Sequence, residues 1–244
     1  MNIAIIFAAG VGQRFDDKME NIPKQFLEID GKPILIHTLL NFQNHKMIDK
    51  IYIATLDKYI DYVYQLCEKF NILKLQKVVK GGACAMESIY NALKIAHEEN
   101  DENSVVLIHD GVRPVITNEV IENNIKTTLE KGNAITAINC AETIIVSKDF
   151  KKANSVPIRK ETFKAQAPQS FRLKEIFEAH NQIKEQGYED IVDNCTLFMK
   201  LNKDVNLVEG NFGNIKITTQ EDVYILKGIL EFIKNKNNGT KWSR

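Results

Sequence analysis

Ile3-Ala4-Ile5-Ile6-Phe7-Ala8-Ala9-Gly10-Val11-Gly12-Gln13-Arg14 begins as an unbroken apolar run and then breaks into glycines. A run with no polar position has no solvated face, which is the pattern of a strand buried on both sides of a parallel sheet. The strand is read over Ile3 to Ala8, and the glycines behind it let backbone N–H groups close around an anion. A dinucleotide fingerprint wants a third glycine near position 15, where Phe15 stands, and no clear acid closes the second strand. A nicotinamide- or flavin-dependent oxidoreductase is therefore disfavoured, and a glycine turn without a ligand stays as the plain alternative.

Outward from this strand, the pattern alternates. Pro33 to Phe42 carries apolar residues at helical spacing, Lys50 to Thr55 is a strand, Asp57 to Phe70 a helix, and Gln76 to Lys80 a strand. Met86 to Glu98 reads as a helix, Ser104 to His109 as a buried strand, Asn118 to Glu130 as a helix and Asn133 to Ala137 as a strand. Such βαβ alternation predicts a doubly wound, Rossmann-like α/β sheet. Glu142 to Arg159 breaks the rhythm: it is β-rich, charged and poor in core periodicity, and reads as a protruding β-arm covering about residues 139–166. Helices at Lys174 to Glu185 and Asp193 to Leu201, a strand at Val205 to Glu209 and a helix at Gln220 to Lys234 complete one domain, 1–234. Residues 235–244 form a polar tail.

The chain has 244 residues, with 32 basic and 32 acidic side chains, so no global field favours nucleic acid or an anionic membrane. Any anionic ligand must be gripped locally. There is no basic leader, no cleavage pattern and no apolar run of the ~20 residues that span a bilayer, so the reading is soluble, cytoplasmic and without a membrane partner. Cys67, Cys84, Cys140 and Cys195 lack Cys-x-x-Cys spacing and read as reduced thiols.

Arg14 and Lys24 flank the glycine loop, and Pro23 stiffens the backbone ahead of the lysine. Cations there would meet the charge that builds on a transferring phosphoryl group and its leaving pyrophosphate. Six ordered strings extend the picture: the glycine loop, Pro23-Lys24-Gln25-Phe26-Leu27, Gly31 to Thr38, His109-Asp110-Gly111-Val112-Arg113-Pro114, Ala165 to Phe171, and Asn214-Ile215-Lys216-Ile217-Thr218. Together they resemble the methylerythritol-phosphate and ribitol-phosphate cytidylyltransferases over essentially the whole chain. The resemblance implies a nucleotidyltransferase fold, CTP as donor, a magnesium ion whose protein ligands are unassigned, and a homodimer with exchanged arms.

By the same resemblance Arg14, Lys24 and Lys216 are the catalytic cations. Ala8, Ala9, Gly10, Gly12, Gly81, Gly82, Ser88 and Asp110 would hold CTP. Asp110, Arg113, Thr143 and Arg159 would hold the acceptor, with Arg159 reaching the partner's site. The chain departs from the family pattern at Ala85, where an arginine is common, and at Ala167, where a threonine is common. Val192-Asp193-Asn194-Cys195 is nearer the ribitol-phosphate branch. The expected activity is transfer of CMP to ribitol 5-phosphate for a surface polymer, with 2-C-methylerythritol 4-phosphate as the alternative acceptor and a silent nucleotide-binding module as the rival class. No nucleophile or general base is required, because the acceptor phosphate is already an anion. His37, His109 and the cysteines receive no role.

Overall fold

The computed structural model describes residues 1–10, 22–185 and 187–237. In chain order the elements are β1 (Asn2–Ala8), β2 (Glu28–Ile29), β3 (Lys32–Pro33), α1 (Ile34–Gln43), β4 (Lys50–Thr55), α2 (Ile60–Lys69), β5 (Leu75–Lys80) and α3 (Ala85–Glu99). They continue with β6 (Val105–Asp110), α4 (Asn118–Lys131), β7 (Asn133–Asn139), β8 (Phe163–Arg172), α5 (Leu173–Lys184), α6 (Asn194–Lys200), β9 (Leu207–Glu209) and α7 (Gln220–Asn237). The main sheet is ordered β5-β4-β1-β6-β8-β7-β9, and β2 and β3 form a separate two-stranded hairpin.

β1 lies inside this sheet, parallel to β4 on one side and to β6 on the other, which explains its uninterrupted apolar sequence. Its side chains divide by parity. Ala4, Ile6 and Ala8 pack in one core with residues of α1, α2 and α4, while Ile3 and Ile5 pack in the other with residues of α3, α5 and α6. Burying each isoleucine contributes roughly 1.5–3 kcal/mol, so both faces of this strand anchor the two helical layers. α4 illustrates how the helices are delimited: Thr117 caps it by accepting from Val120 N–H, and Gly132, at φ +90°, ends it in a conformation that disfavours a side chain.

The predicted elements from β1 to β7 are all present, as are the two helices after the arm and the final helix, which runs to Asn237. Thus the first part of the expected tail, 235–237, is helical; residues 238–244 lie outside the described ones. The segment 57–59 is a short 3-10 turn preceding α2.

Two sequence expectations are corrected. β8 lies unread within the Ala165 to Phe171 motif, although it occupies the middle of the sheet between β6 and β7 and runs antiparallel to both. Its Pro168, which cannot donate to a ladder, falls where the β7–β8 register shifts, and there Thr136 Oγ1 donates to Pro168 O at 2.6 Å. The arm, read as β-rich over 142–159, holds only an isolated bridge, Val146 to Ser155, and a 3-10 turn at Arg159–Glu161. Side chains take the backbone's partners there: Asp149 Oδ1 accepts from Lys151 N at 2.9 Å and Lys152 N at 3.1 Å, and Asn154 Oδ1 accepts from Lys148 N at 2.8 Å. Both ends of the expected 139–166 span, Asn139 and Phe163 to Gln166, belong to the main sheet.

A third, smaller core gathers Ile29, Ile34, Val112, Val115, Ile217 and Leu226, and so packs the β2–β3 hairpin and α7 beside the carboxyl end of β6.

Candidate active site

In open α/β sheets the ligand crevice forms at the carboxyl ends of the strands. Here the ends of β1, β4, β5 and β6 surround a cleft of about 770 Å³. Its lining includes Ala8, Ala9 and Gly10 after β1, Leu56 after β4, Gly82 to Ala85 and Ser88 after β5, Asp110 at the end of β6, and also Lys24, Gln25, Lys216 and Thr218. Close approach at this edge rests on two glycines. A Cβ on Gly111 would stand 2.8 Å from the Ala8 Cβ, and one on Gly81 would strike the Ala9 Cβ and come within 3.2 Å of Thr55 O. Gly111 N–H donates to Phe7 O and Gly81 N–H to Thr55 O, pinning each loop to the strand beside it.

Asp110 is the electrostatic centre. Its carboxylate is 7% exposed, with Oδ1 2.5 Å from Lys216 Nζ and Oδ2 2.8 Å from Arg113 Nε. Burial alone would raise its pKa, but the adjacent Lys216 and Arg113 charges overcome that and hold it down at about 2. Arg113 Nη1 donates to Asn214 O at 2.7 Å, and Ile217 N–H donates to Val112 O, so the Asn214 to Thr218 segment is laid against the end of β6. Lys216 therefore reaches the cleft from a segment outside the strands, 106 residues after Asp110 in sequence. Its side chain stays 43% exposed, open to a ligand.

The loop between β5 and α3 is held by its own hydrogen bonds. Ser88 Oγ accepts from Gly82 N–H at 3.0 Å and donates to Cys84 O at 2.9 Å, while Glu87 Oε2 accepts from Ala83 N–H at 2.7 Å. Cys84 caps α3 through Sγ. Ser88 thus shapes the loop as well as lining the cleft.

The cleft unites Ala8, Ala9, Gly10, Lys24, Gly82, Ser88, Asp110 and Lys216, with Gly81 behind it against Ala9. Arg113 stands next to Asp110, with its Nε and Nη1 turned inward. Thr143 and Arg159 are exposed on the arm and are not among the cleft residues of this chain. Gly12 and Arg14 lie outside the described residues. Sequence reasoning assigned no role to Gln25, Leu56, Thr218 or the Asn214 carbonyl; Gln25 and Asn214 lay inside quoted motifs, but an amide carries no charge to draw notice. His109 is fully buried, donates Nε2–H to Arg113 O at 3.1 Å and has its pKa lowered to about 4 by burial, which fits a structural histidine.

Among the described residues no group of three or more His, Cys, Asp or Glu side chains could cage a metal ion. Asp110 is the carboxylate among the described cleft residues, which suits a magnesium ion held chiefly by substrate phosphates and water. All four cysteines are free thiols, and no helix among the described residues is long and apolar enough to cross a membrane.

A glycine-bounded cleft at strand ends, lined by lysines from distant segments, defines a nucleotidyltransferase of the open α/β type. The sequence agrees with the model of one family, "IspD: 2-C-methyl-D-erythritol 4-phosphate cytidylyltransferase", over residues 2–232. The chain belongs to this cytidylyltransferase family. It is 42% identical to a ribitol-5-phosphate cytidylyltransferase of Streptococcus agalactiae, with 97% of this chain and 98% of the relative aligned. It is 38% identical to a 2-C-methyl-D-erythritol 4-phosphate cytidylyltransferase of Clostridium botulinum, over 94% of this chain and 97% of the relative. The solved 4-diphosphocytidyl-2C-methyl-D-erythritol synthase of Anaerococcus prevotii superimposes with a TM-score of 0.79 at 29% identity, covering 94% of this chain and 96% of that one.

Proposed function

We propose that the chain transfers CMP from CTP to ribitol 5-phosphate, giving CDP-ribitol and pyrophosphate in the cytoplasm. The observation that carries the chemistry is Lys216 held by Asp110 at the edge of the cleft, beside the glycine loop and Lys24. A phosphate oxygen of the acceptor attacks the α-phosphorus of CTP; the new P–O bond forms as the bond to the β-phosphate breaks, and pyrophosphate leaves with the electron pair. No proton has to be removed from the nucleophile. Lys24, Lys216 and Arg14 stabilise the charge that spreads onto the α-phosphoryl oxygens and the leaving group, while the cleft supplies orientation. Asp110 is the residue that would face a magnesium ion bound with the triphosphate, and such an ion would supply further charge neutralisation.

For the acceptor, ribitol 5-phosphate is supported by relatives carrying that name at 41–43% identity, against 37–38% for those named after 2-C-methyl-D-erythritol 4-phosphate. Two chains would pair through the arm and deliver Thr143 and Arg159 to each other's acceptor. The exposed Ile145, Val156 and Ile158 on that arm support such a pairing. The test is pyrophosphate release with CTP, magnesium and each of the two polyol phosphates in turn. Release with ribitol 5-phosphate at the higher kcat/KM is expected; preference for the methylerythritol phosphate would reverse the acceptor assignment, and release with neither would remove both.

A further inference from the structure

We infer that Gln25 is a positioning residue: its side-chain amide sets the conformation of residues 8–10, where β1 gives way to the glycines, and ties them to Lys24. The inference rests on the CTP reading above.

Gln25 is 1% exposed, yet it lines the cleft. Its Nε2 donates to Ala8 O at 2.7 Å and to Gly10 O at 3.3 Å, bridging two carbonyls of the loop with the two hydrogens of one nitrogen. A peptide is planar and trans, so fixing the Ala8 carbonyl also fixes the direction of the Ala9 N–H on the opposite edge of that peptide. An anion-binding loop works through the directions of such N–H groups.

The amide is itself held from behind. Lys24 to Phe26 form a 3-10 turn closed by Phe26 N–H donating to Pro23 O at 2.8 Å, and the Phe26 ring packs 4.8 Å from Tyr59 and 5.2 Å from Tyr62, centroid to centroid. The turn is thus anchored in the core by Phe26 and latched to the loop by Gln25, with Lys24 adjacent. Residues 8–10 and the lysine, which come from separate segments, are thereby linked.

The chemistry demands this side chain. Glutamate would press a carboxylate against two carbonyl oxygens, methionine would fill the space without a donor, and asparagine is one methylene short.

The test uses the full-length protein, with CTP binding measured calorimetrically and turnover measured with the preferred polyol phosphate. In Gln25→Met, CTP should bind about 10- to 50-fold more weakly through loss of two hydrogen bonds, one to the buried Ala8 carbonyl and one to the Gly10 carbonyl, while the KM for the acceptor changes by less than about two-fold. In Gln25→Glu, kcat/KM for CTP relative to wild type should rise several-fold as the pH is lowered from 8 to 6, because a carboxyl facing two carbonyls has a raised pKa and regains a donor when protonated. The second variant answers the question if the first fails to fold. Wild-type CTP affinity in Gln25→Met, equal losses for both substrates, or a Gln25→Glu profile parallel to wild type would overturn the inference. A wild-type chain that binds CTP but uses neither polyol phosphate would sink the acceptor reading and leave Gln25 to be judged on binding alone. One that binds no CTP overturns both.

Discussion

Replacing Asp110 by asparagine removes one negative charge while keeping the shape of the side chain. Oδ1 meets Lys216 and Oδ2 meets Arg113, so whichever way the new amide turns, its NH2 group faces a cation. Lys216 is 43% exposed and can be rehydrated; Arg113 is 13% exposed and cannot, so most of the cost falls on the guanidinium. The pKa of Asp110 is held at about 2 rather than 3.8, which at ~1.36 kcal/mol per unit corresponds to about 2 kcal/mol of stability at neutral pH. Breaking a buried pair directly costs about 3–5 kcal/mol in general, so about 3 kcal/mol is the expected loss. For a chain of this size that lowers Tm by roughly 6–12 °C at pH 7. Because the folded pKa lies below the unfolded one, the stabilisation is complete above about pH 4 and is lost as the pH falls toward about 2. Calorimetric melts at pH 7, with urea unfolding across pH 5 to 2.5, check both parts. A variant melting within 2 °C of wild type, on the order of 1 kcal/mol or less, would refute the assignment of Asp110 as the pinned centre of the site.

Two further outcomes are expected. Arg159 is exposed, and its side chain engages no hydrogen bond or ion pair among the described residues; its carbonyl, which accepts from Thr162 N–H, survives truncation, so Arg159→Ala should leave Tm and CTP affinity unchanged. If it serves the neighbouring subunit, the variant should raise the acceptor KM about 10- to 100-fold by losing a charge-assisted hydrogen bond; equal losses for CTP and acceptor, or a monomer by light scattering of the wild type, would count against arm exchange. His180 is fully buried, with Nε2–H donating to Asn194 Oδ1 and Nδ1 accepting from Tyr188, and burial lowers its pKa to about 4. The unfolded histidine takes up its proton near pH 6.5, so stability should fall as the pH drops from about 6.5 to 4, by up to about 3 kcal/mol from this residue. His180→Gln should flatten that slope in urea titrations, and an unchanged slope would assign the effect elsewhere.

The first half of the fold was legible because its strands announce themselves. Ile3 to Ala8 and Val105 to Ile108 are apolar throughout, since parallel strands under two helical layers have no wet face. β8 escaped because its centre reads Gln166-Ala167-Pro168-Gln169-Ser170, polar residues with a proline, in a position where sequence rules expect valine and isoleucine. Those polar groups are buried and served by long-range partners: Ser170 Oγ donates to Asn124 Oδ1, and Gln169 Nε2 to Asp193 Oδ2. Gln166 Nε2 likewise donates to Asn211 O, although its Oε1 meets no partner among the described residues, and only the folded neighbourhood reveals these long-range contacts. The arm misled for the converse reason, having strand-forming residues whose backbone partners are taken by Asp149 and Asn154. At the site, charge and glycine were visible in the letters, so Lys24 could be named from the sequence itself, whereas Asp110 and Lys216 were named through the resemblance of their motifs to the cytidylyltransferases. What could not be read was that Arg113 serves Asp110 and Asn214 from within, or that an uncharged glutamine latches the loop.

β8 is the strand that runs against all its neighbours in the main sheet. β7 therefore leaves the sheet at the edge where the cleft opens between other strands, and β8 returns at that same edge, so the 140–162 excursion begins and ends on the ligand side of the sheet. A reversed strand thus acts as a socket: whatever is threaded between its two contacts can lengthen, shorten or change composition without re-registering a single ladder. What this scaffold reaches for can change in that appendage while the cleft, built from the ends of β1, β4, β5 and β6 and completed by Lys216 from beyond the arm, keeps its geometry.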